Sequence, residues 1–351
     1  MPTETKSIPS SPSVAVFLRG LFDYAGLFPP ASLGMSQALL EYSTHQKEHD
    51  SWMTGPFVCP VSRLDELTGE KESFRKIVPI RLSLLPRTTS GSHLFGSSFR
   101  EDIENIEQIL EQHPDTFQVA MIEILVPMDT VELSASNNPT LNDPTSNNPA
   151  LNNDPDCNEF DRWIVCLISD LEKMTNPPQR IFLEISRGSD YENSLKTAVR
   201  SISSLQSPKI AVGLKIRCGG KHQNDTPSSL EIAQFLQVVI SGDQFFKATA
   251  GLHHPVRHCS DSTGMIMHGF LNVFFAAIFS AALKLDTDEL IAVIESEDPS
   301  RFQFVDEGIR FDDYSVSTDS LKQIRTSQVL SIGSCSFDEP RDDLRSLNWL
   351  L

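Results

Sequence analysis

Strand-length apolar segments alternate with helical patterns eight times along this chain of 351 residues. Several of these segments, among them RIFLEIS and IAVGLKIRC, carry apolar residues on both faces rather than at every second position. Strands of a parallel sheet have this pattern because helices cover both faces of the sheet, whereas strands of a half-exposed sheet alternate strictly. The pattern therefore predicts an α/β protein with a parallel sheet.

Eight such units predict a (β/α)8 (TIM) barrel in a single domain, which we expect to span residues 14–351. The alternative is a doubly wound open sheet, which usually has a glycine-rich phosphate turn after its first strand. In this chain that turn is Pro29-Pro30, so the barrel is favoured. We place the first strand within residues 14–28 and the eighth within VLSIGSCSF.

Three segments do not fit the alternation. Residues 1–13 contain three prolines and are predicted to be a disordered arm. Residues 134–158 repeat an Asn/Pro pattern, NNPTLND and then NNPALNND, and predict a flexible insertion after strand four. Residues 286–325 form an acidic addition between strands seven and eight, in which we expect helices near 288–296 and 318–325 with irregular chain between them.

The charge balance limits the classes of partner. The formal net charge is −18, which opposes attraction to nucleic acid or to anionic membranes. Six cysteines are scattered singly, without CxxC pairs, as is typical of reduced thiols in a cytoplasmic protein. We expect Cys218 and Cys335, at predicted strand ends, to be packing residues.

The most hydrophobic stretch, residues 265–285, approaches the length of a membrane span. His268, Gly269, Asn272 and Ser280 interrupt it, so we predict a buried helix and no membrane contact. The phenylalanines of HGFLNVFFAAIF are expected in the core or in the interface of a homo-oligomer.

Three successive strand segments carry polar residues in one shared register. The motifs are Glu184-x-Ser186-x-Gly188, Lys215-x-Arg217-x-Gly219 and Lys247-x-Thr249-x-Gly251. Barrel enzymes keep their chemistry at the carboxyl ends of the strands, and residues at the same height on neighbouring strands face one region. We therefore predict that Lys215 and Lys247 lie side by side in one inward-facing pocket.

This pocket suggests chemistry on a small anionic carbonyl compound. Burial and like-charge repulsion both lower the pKa of an ammonium group, and a lysine that is neutral near pH 7 attacks carbonyl carbon. Glu184 and Glu123 are the candidate proton-transfer groups, and no cofactor is required. The candidate substrate-binding residues are Arg217, Thr249, Gly219, Gly220 and Ser334.

The segments LKIRCGG and FKATAGLHHP resemble the strand-six and strand-seven motifs of class I aldolases of the deoxyribose-phosphate aldolase type. The resemblance implies that Lys215 forms an imine with the substrate and that Lys247 tunes it. The acidic residue of strand four is Glu123 here, where that family has Asp. The segments LFDYAGLFPPA and HGFLNVFFAAIFSAAL resemble a bacterial family to which we assign no activity.

Two other functions remain open. Asp23 and His253-His254 resemble the divalent-metal positions of barrel lyases of the hydroxymethylglutaryl-CoA lyase type. The second hypothesis is therefore a metal-dependent lyase or isomerase that uses Asp23, Glu184 and His253 or His254. Adjacent histidines on extended chain point to opposite sides, so one of them would face the ion. The third hypothesis is a barrel that binds a metabolite or partner without catalysis, and buried, ion-paired lysines would favour it.

Overall fold

The computed structural model describes residues 9–69, 79–89, 91–130, 158–188, 190–205, 207, 209–220, 222–260 and 264–351. Eight parallel strands close into a barrel in the order β1 to β7 followed by β13, which pairs with β1. The predicted (β/α)8 fold and its eight strand segments are confirmed. The barrel strands are β1 (Phe22–Tyr24), β2 (Thr54–Pro60), β3 (Ile80–Leu85), β4 (Phe117–Leu125), β5 (Arg180–Glu184), β6 (Ala211–Arg217), β7 (Phe246–Thr249) and β13 (Val329–Ser334).

Helices follow most barrel strands, and side-chain caps begin several of them. Asn158, Ser228 and Asp286 each start a helix with a reciprocal capping box, which satisfies two backbone N–H groups that a helix start otherwise leaves unpaired. The α-helices of the described chain are α1 (Pro12–Leu18), α2 (Met35–His45), α3 (Leu64–Gly69), α4 (Ser92–Gln112), α5 (Glu159–Glu172), α6 (Tyr191–Ser204), α7 (Ser229–Ser241), α8 (Phe270–Leu283), α9 (Thr287–Ile294), α10 (Thr318–Ser327) and α11 (Asp338–Ser346).

Packing divides the described chain into two compact units. The first contains the residues up to 58 and those from 216 onward, and the second contains those from 59 to 215. Each unit has its own buried core of aliphatic and aromatic side chains, represented by Phe22 and Phe274 in the first unit and by Phe160 and Phe182 in the second.

The amino-terminal prediction was wrong in its boundary. Residues 1–8 lie outside the described residues, but residues 9–13 are not a disordered arm. Ser11 caps α1, and the amide of Ser10 donates to the carbonyl of Trp349 at 3.0 Å. The apolar residues from 14 onward, expected to begin the first strand, form α1, because Pro12 can occupy the first turn of a helix and Ser11 can cap it. The strand itself has only three residues.

Most of the predicted insertion at 134–158 lies outside the described residues. Its last residue, Asn158, belongs to the fold: its side chain accepts from the amide of Asp161 at 2.9 Å and caps α5. The predicted boundary was therefore one residue too long at this end.

The acidic addition contains a sheet that the sequence analysis missed. Its two helices are confirmed as α9 and α10, but the chain between them forms an antiparallel sheet of β10 (Phe302–Val305), β11 (Gly308–Phe311) and β12 (Tyr314–Ser317). Buried Phe302, Phe311 and Val316 anchor this sheet. Two even shorter strands, β8 (His258–Cys259) and β9 (Ile266–Met267), pair separately.

Helix α8 is the buried apolar helix that the sequence predicted, with its start at Phe270. Asn272 explains how a polar residue fits there. Its amide donates to the carbonyls of Val293 and Ser296 at 2.9 and 2.8 Å, and its oxygen accepts from the amide of Arg257 at 2.8 Å. In the part of the chain that the structure describes, no helix has the length and apolar character needed to cross a membrane.

Candidate functional site

The second compact unit contains a buried lysine between two carboxylates. Lys215 Nζ lies 2.7 Å from Glu184 Oε2 and 3.2 Å from Glu123 Oε2. Lys215 is only 3% exposed, and both glutamates are buried. The hydroxyl of Ser83 donates to Glu123 at 2.6 Å, which fixes the orientation of that carboxylate.

The strand register explains how these groups meet. Glu184 and Lys215 are direct partners on the parallel strands β5 and β6, as their shared motif register predicts. Glu184 is the last residue of β5, while Glu123 and Lys215 each stand two residues before the end of their strands. The cluster therefore lies toward the carboxyl ends of three consecutive strands, where barrel enzymes carry their chemistry.

The first compact unit contains the other predicted lysine. Lys247 has no exposed surface, and its Nζ lies 2.6 Å from Asp23 Oδ2. The hydroxyl of Ser331 donates to the same oxygen at 2.7 Å. Gly55 makes room for this carboxylate, because a Cβ at position 55 would collide with Asp23 Oδ1.

A buried arginine adds positive charge near Asp23. Arg325 donates from its side chain to the carbonyls of Phe17 and Arg19 at 2.9 and 3.2 Å, and also to those of Val329 and Leu330. Burial lowers the pKa of Arg325, and the charge of Asp23 opposes this effect. Asp23 thus has an ion pair with Lys247, a hydrogen bond from Ser331 and the charge of Arg325 within electrostatic range, as a buried carboxylate requires.

Each predicted catalytic lysine therefore has its own carboxylate partners. Lys215 is paired with the predicted proton-transfer residues Glu184 and Glu123, whereas Lys247 is paired with Asp23, a residue that the sequence analysis assigned to the metal alternative. That the two lysines share one pocket stays a prediction.

Of the predicted substrate-binding side chains, two lie at strand ends with exposed surface, and a third is held by a hydrogen bond to the backbone. Arg217 is exposed at the end of β6, and Thr249 is half-buried at the end of β7. The amide of Cys218 donates to the carbonyl of Thr249 at 2.8 Å, which keeps these strand ends together. The hydroxyl of Ser334 is engaged, because it donates to the carbonyl of Ser336 at 2.6 Å.

The predicted glycines have packing roles. A Cβ on Gly219 would lie 2.7 Å from the Cα of Gly251, and Gly251 has a φ of +72°. The two backbones approach so closely that neither position has room for a side chain. Gly220 packs against the side chain of Asp225 in the same way.

The histidines that the metal alternative requires have other contacts. His254 Nδ1 lies 2.6 Å from Asp343 Oδ2, and His253 Nδ1 lies 3.3 Å from Glu339 Oε2. Within the described ranges, no three His, Cys, Asp or Glu side chains are grouped as a metal site would need. The metal-dependent hypothesis therefore keeps only its sequence basis.

One cluster was not predicted as a site. Cys335, which follows β13, is buried and lies beside the imidazole of His253, with Sγ 3.7 Å from Nδ1 and 3.9 Å from Nε2. Glu339 on α11 completes the group through its contact with His253. The placement of Cys335 at a strand end was the only sequence signal, because His253 and Cys335 are 82 residues apart.

The two lysine clusters differ in what they can do chemically. Lys247 and Asp23 form an ion pair in a site without solvent exposure. Lys215 has two carboxylates, so each can take up one proton from the amine and return it to a bound substrate, which is the minimum required for acid–base work at an amine. Comparison of the chain with protein-family models, with curated proteins and with solved structures gives no match.

Proposed function

We propose that the protein is a barrel enzyme that acts on a small anionic carbonyl compound by aldolase- or lyase-type chemistry, with Lys215 as the imine-forming residue. The observation that supports this proposal best is the position of Lys215 Nζ, 2.7 Å from Glu184 and 3.2 Å from Glu123 at the carboxyl ends of β4, β5 and β6. Charged groups are rarely buried together in a barrel without use.

The chemistry assigns a role to each carboxylate. Glu184, the nearer of the two, accepts a proton from Lys215 Nζ as the amine attacks the carbonyl carbon. Glu123 has taken the other proton that Lys215 loses, the one whose removal frees the amine for attack, and Glu123 and Glu184 return these two protons to the former carbonyl oxygen, which leaves as water; Ser83 holds Glu123 in place for this step. The imine then withdraws electrons from the bond that breaks, which is the basis of covalent catalysis by lysine.

The anionic character of the substrate rests on Arg217. It stands two residues beyond Lys215 in the sequence and is exposed at the strand end. Its guanidinium group is suited to bidentate binding of a carboxylate or phosphate.

Borohydride trapping tests the proposal. The protein is reduced with borohydride in the presence of a panel of small anionic aldehydes and 2-oxo acids. We expect the peptide that contains Lys215 to gain the carbon skeleton of one substrate. Hydride addition converts the imine into a stable secondary amine, which peptide mass mapping detects. Lys215→Met should abolish the adduct, and Glu184→Gln should slow its formation by about a hundredfold or more, the lower end of the range for loss of a general base.

Lys196→Met is the matched control, because Lys196 is an exposed lysine paired with Glu192 on α6. This variant should trap substrate as the unmodified protein does. Absence of an adduct on Lys215 and on Lys247 across the whole panel would refute imine chemistry.

The burial of both lysines favours a second candidate function, a barrel that binds an anionic metabolite or a partner without catalysis. Lys247 has no exposed surface and Lys215 is 3% exposed, and both are ion-paired. Calorimetric titration separates the two candidates. The binding function is supported if a compound of the panel binds, its binding requires Arg217, and it gives no reduced adduct.

A further inference from the structure

The carboxyl end of β4 carries an exposed leucine directly beside the buried lysine cluster. Leu125, the last residue of β4, is the strand partner of Glu184, and Glu184 is the strand partner of Lys215. The amide of Val126 donates to the carbonyl of Glu184 at 3.0 Å, which fixes the two strand ends at the same height. Leu125 is nevertheless 36% exposed, so the cluster has an apolar side chain at its rim.

Strand alternation gives the direction of Leu125. Side chains two residues apart on a strand point to the same face, and Glu123 points to Lys215 in the barrel interior. Leu125 shares that face and lies one repeat, about 7 Å, closer to the carboxyl end of the strand. It therefore stands above the cluster on the side from which barrel enzymes take their substrates.

The cluster is most accessible on the side of Leu125. The side chain of Glu184, its strand partner, is 12% exposed, whereas those of Glu123 and Lys215 are each 3% exposed. A compound that approaches Lys215 past Glu184 therefore comes into contact with Leu125.

Two more exposed apolar side chains lie at the same edge of the barrel. Met128 follows β4 and is 50% exposed, and Leu94, in the first turn of α4 after β3, is 46% exposed. The carboxylate of Asp129 accepts hydrogen bonds from the amide and the hydroxyl of Ser92, which joins the segments that carry Met128 and Leu94. Within the described part of the second compact unit, no other large apolar side chain is exposed to this degree. Single exposed apolar residues are ordinary, but their restriction to one edge of a unit indicates a binding surface.

We propose that Leu125, together with Met128 and Leu94, binds the hydrocarbon part of the substrate whose carbonyl group reacts with Lys215. The substrate is then an anionic carbonyl compound that carries an alkyl or aryl group, rather than a polyhydroxylated sugar derivative. This substrate class rests on the imine function proposed above and adds the chemical nature of the rest of the molecule.

A leucine at this position discriminates between the two classes. Leu125 offers no donor or acceptor, so a substrate hydroxyl placed against it loses its hydrogen bonds with water and gains none. A methylene at the same place leaves water for an apolar contact, which strengthens binding by about fourfold for each methylene that is buried. The subsite therefore selects for chain length and against hydroxyl groups.

Borohydride trapping with a homologous series tests the proposal. The full-length protein is reduced in the presence of pyruvate, 2-oxobutanoate, 2-oxopentanoate or 2-oxohexanoate, and the adduct on the peptide that contains Lys215 is quantified at several concentrations of each compound. We expect the concentration that gives half-maximal adduct to fall by about fourfold with each added methylene. Hydroxypyruvate, which has a hydroxyl in place of the terminal methyl of 2-oxobutanoate, should bind no better than pyruvate.

Variants locate the subsite. Leu125→Ser should abolish the dependence on chain length while pyruvate still forms its adduct, and Leu125→Met should retain the dependence because it keeps an apolar side chain of similar volume. Leu230→Ser is the matched control, since Leu230 is an exposed leucine on α7, outside the second unit. This variant should show the same dependence as the unmodified protein.

Equal half-maximal concentrations along the series in the unmodified protein would overturn the apolar subsite and leave imine formation at Lys215 intact, and this result does not depend on how the variants fold. A dependence on chain length that persists in Leu125→Ser would overturn the assignment to Leu125. Absence of any adduct on Lys215 would overturn the substrate class together with the assignment of Lys215 as the imine-forming residue.

Discussion

Lys247 illustrates the cost of a charge placed entirely inside a protein. Its ammonium group has no exposed surface and depends on Asp23 and Ser331 for charge balance and hydrogen bonding. Such pairs contribute little net stability compared with apolar residues of the same volume, but removal of one partner leaves an uncompensated charge. The stability of the protein is therefore sensitive to substitution of one partner and tolerant of substitution of both partners together.

We predict that Lys247→Met and Asp23→Asn each destabilise the protein by about 3–5 kcal/mol. The double variant should lose less than the sum of the two, because neither member of the pair is left without its partner, and the remaining loss reports the charge of Arg325 without Asp23. Urea unfolding of the two single variants and the double variant measures this coupling. Additive losses would mean that the two side chains do not depend on each other.

His253 gives a residue-scale prediction about pH. Its pKa is raised to about 10 in the folded protein, against about 6.5 for an exposed histidine. A raised pKa stabilises the fold fully below about pH 6.5, and this contribution is lost as the pH rises through about 10. His253→Gln should therefore cost more unfolding free energy at pH 6 than at pH 10.5.

The measurement compares urea unfolding of the protein and the variant in the same buffers, so that titration of groups that do not contact His253 cancels. An equal loss at both pH values would show that His253 is not held in its charged form by Cys335 and Glu339.

Residues that share one strand register were easier to predict from the sequence than clusters that the fold assembles. Glu184 and Lys215 occupy the same place in their motifs and are paired in the barrel, because strand alternation is local. The contact of His253 with Cys335 depends on how two loops turn after β7 and β13, and no periodicity encodes that. Asp23 was assigned to a metal although Lys247 is its partner, because a sequence does not show which side chains meet.

At the scale of elements, the backbones that follow β6 and β7 approach each other closely at two glycines, with no side chain between them. Gly251 has a φ of +72°, and a Cβ there would lie 2.8 Å from the carbonyl oxygen of Cys218. Both conditions penalise any other residue. Gly188 holds the corresponding place in the motif after β5, but nothing lies within 4 Å of a Cβ built there.

We predict that Gly251→Ala destabilises the protein by about 2 kcal/mol or more, because a strained backbone and a steric collision add up. Gly188→Ala is the matched control and should be neutral or stabilising by up to about 1 kcal/mol, since it lowers the entropy of the unfolded chain. Thermal unfolding of both variants measures the two changes in stability. Equal effects would mean that the shared motif, not the local contact, determines the role of these glycines.

The elements that the sequence analysis missed share one physical property, which is shortness. The strands β10, β11 and β12 have four residues each, so strand alternation has too few repeats to stand out in an acidic segment. Helix α1 has seven residues and was taken as part of a strand because its apolar positions run directly into β1. Long helices such as α8, by contrast, were recognisable from composition alone.

At the scale of the whole molecule, the barrel was predictable because eight repeats of one pattern reinforce each other. No single strand identifies the fold, but eight apolar strands with intervening helices leave few topologies open. The order of the closed sheet follows the chain from β1 to β7 and then β13, so the acidic addition is placed between two neighbouring barrel strands without changing their order.

The net charge provides the prediction at this scale. With 47 acidic against 29 basic residues, surface carboxylates repel one another in the folded protein more than in the expanded chain. Salt shortens the range of this repulsion from about 30 Å at 0.01 M to about 3 Å at 1 M. At pH 7.5 we therefore expect the Tm to rise by about 2–4 °C between 20 and 500 mM sodium chloride, the shift that roughly 1 kcal/mol produces in a large domain.

The same measurement at pH 5.0 is the control, because that pH is close to the isoelectric point of about 4.9. Little net repulsion remains there for salt to screen, so the rise should nearly disappear. The buried pairs of Lys215 and Lys247 lie away from solvent and are screened much less than surface charges, so they should contribute little to the difference. A Tm that falls with salt at pH 7.5, or rises equally at both pH values, would mean that attractive surface pairs outweigh the net charge.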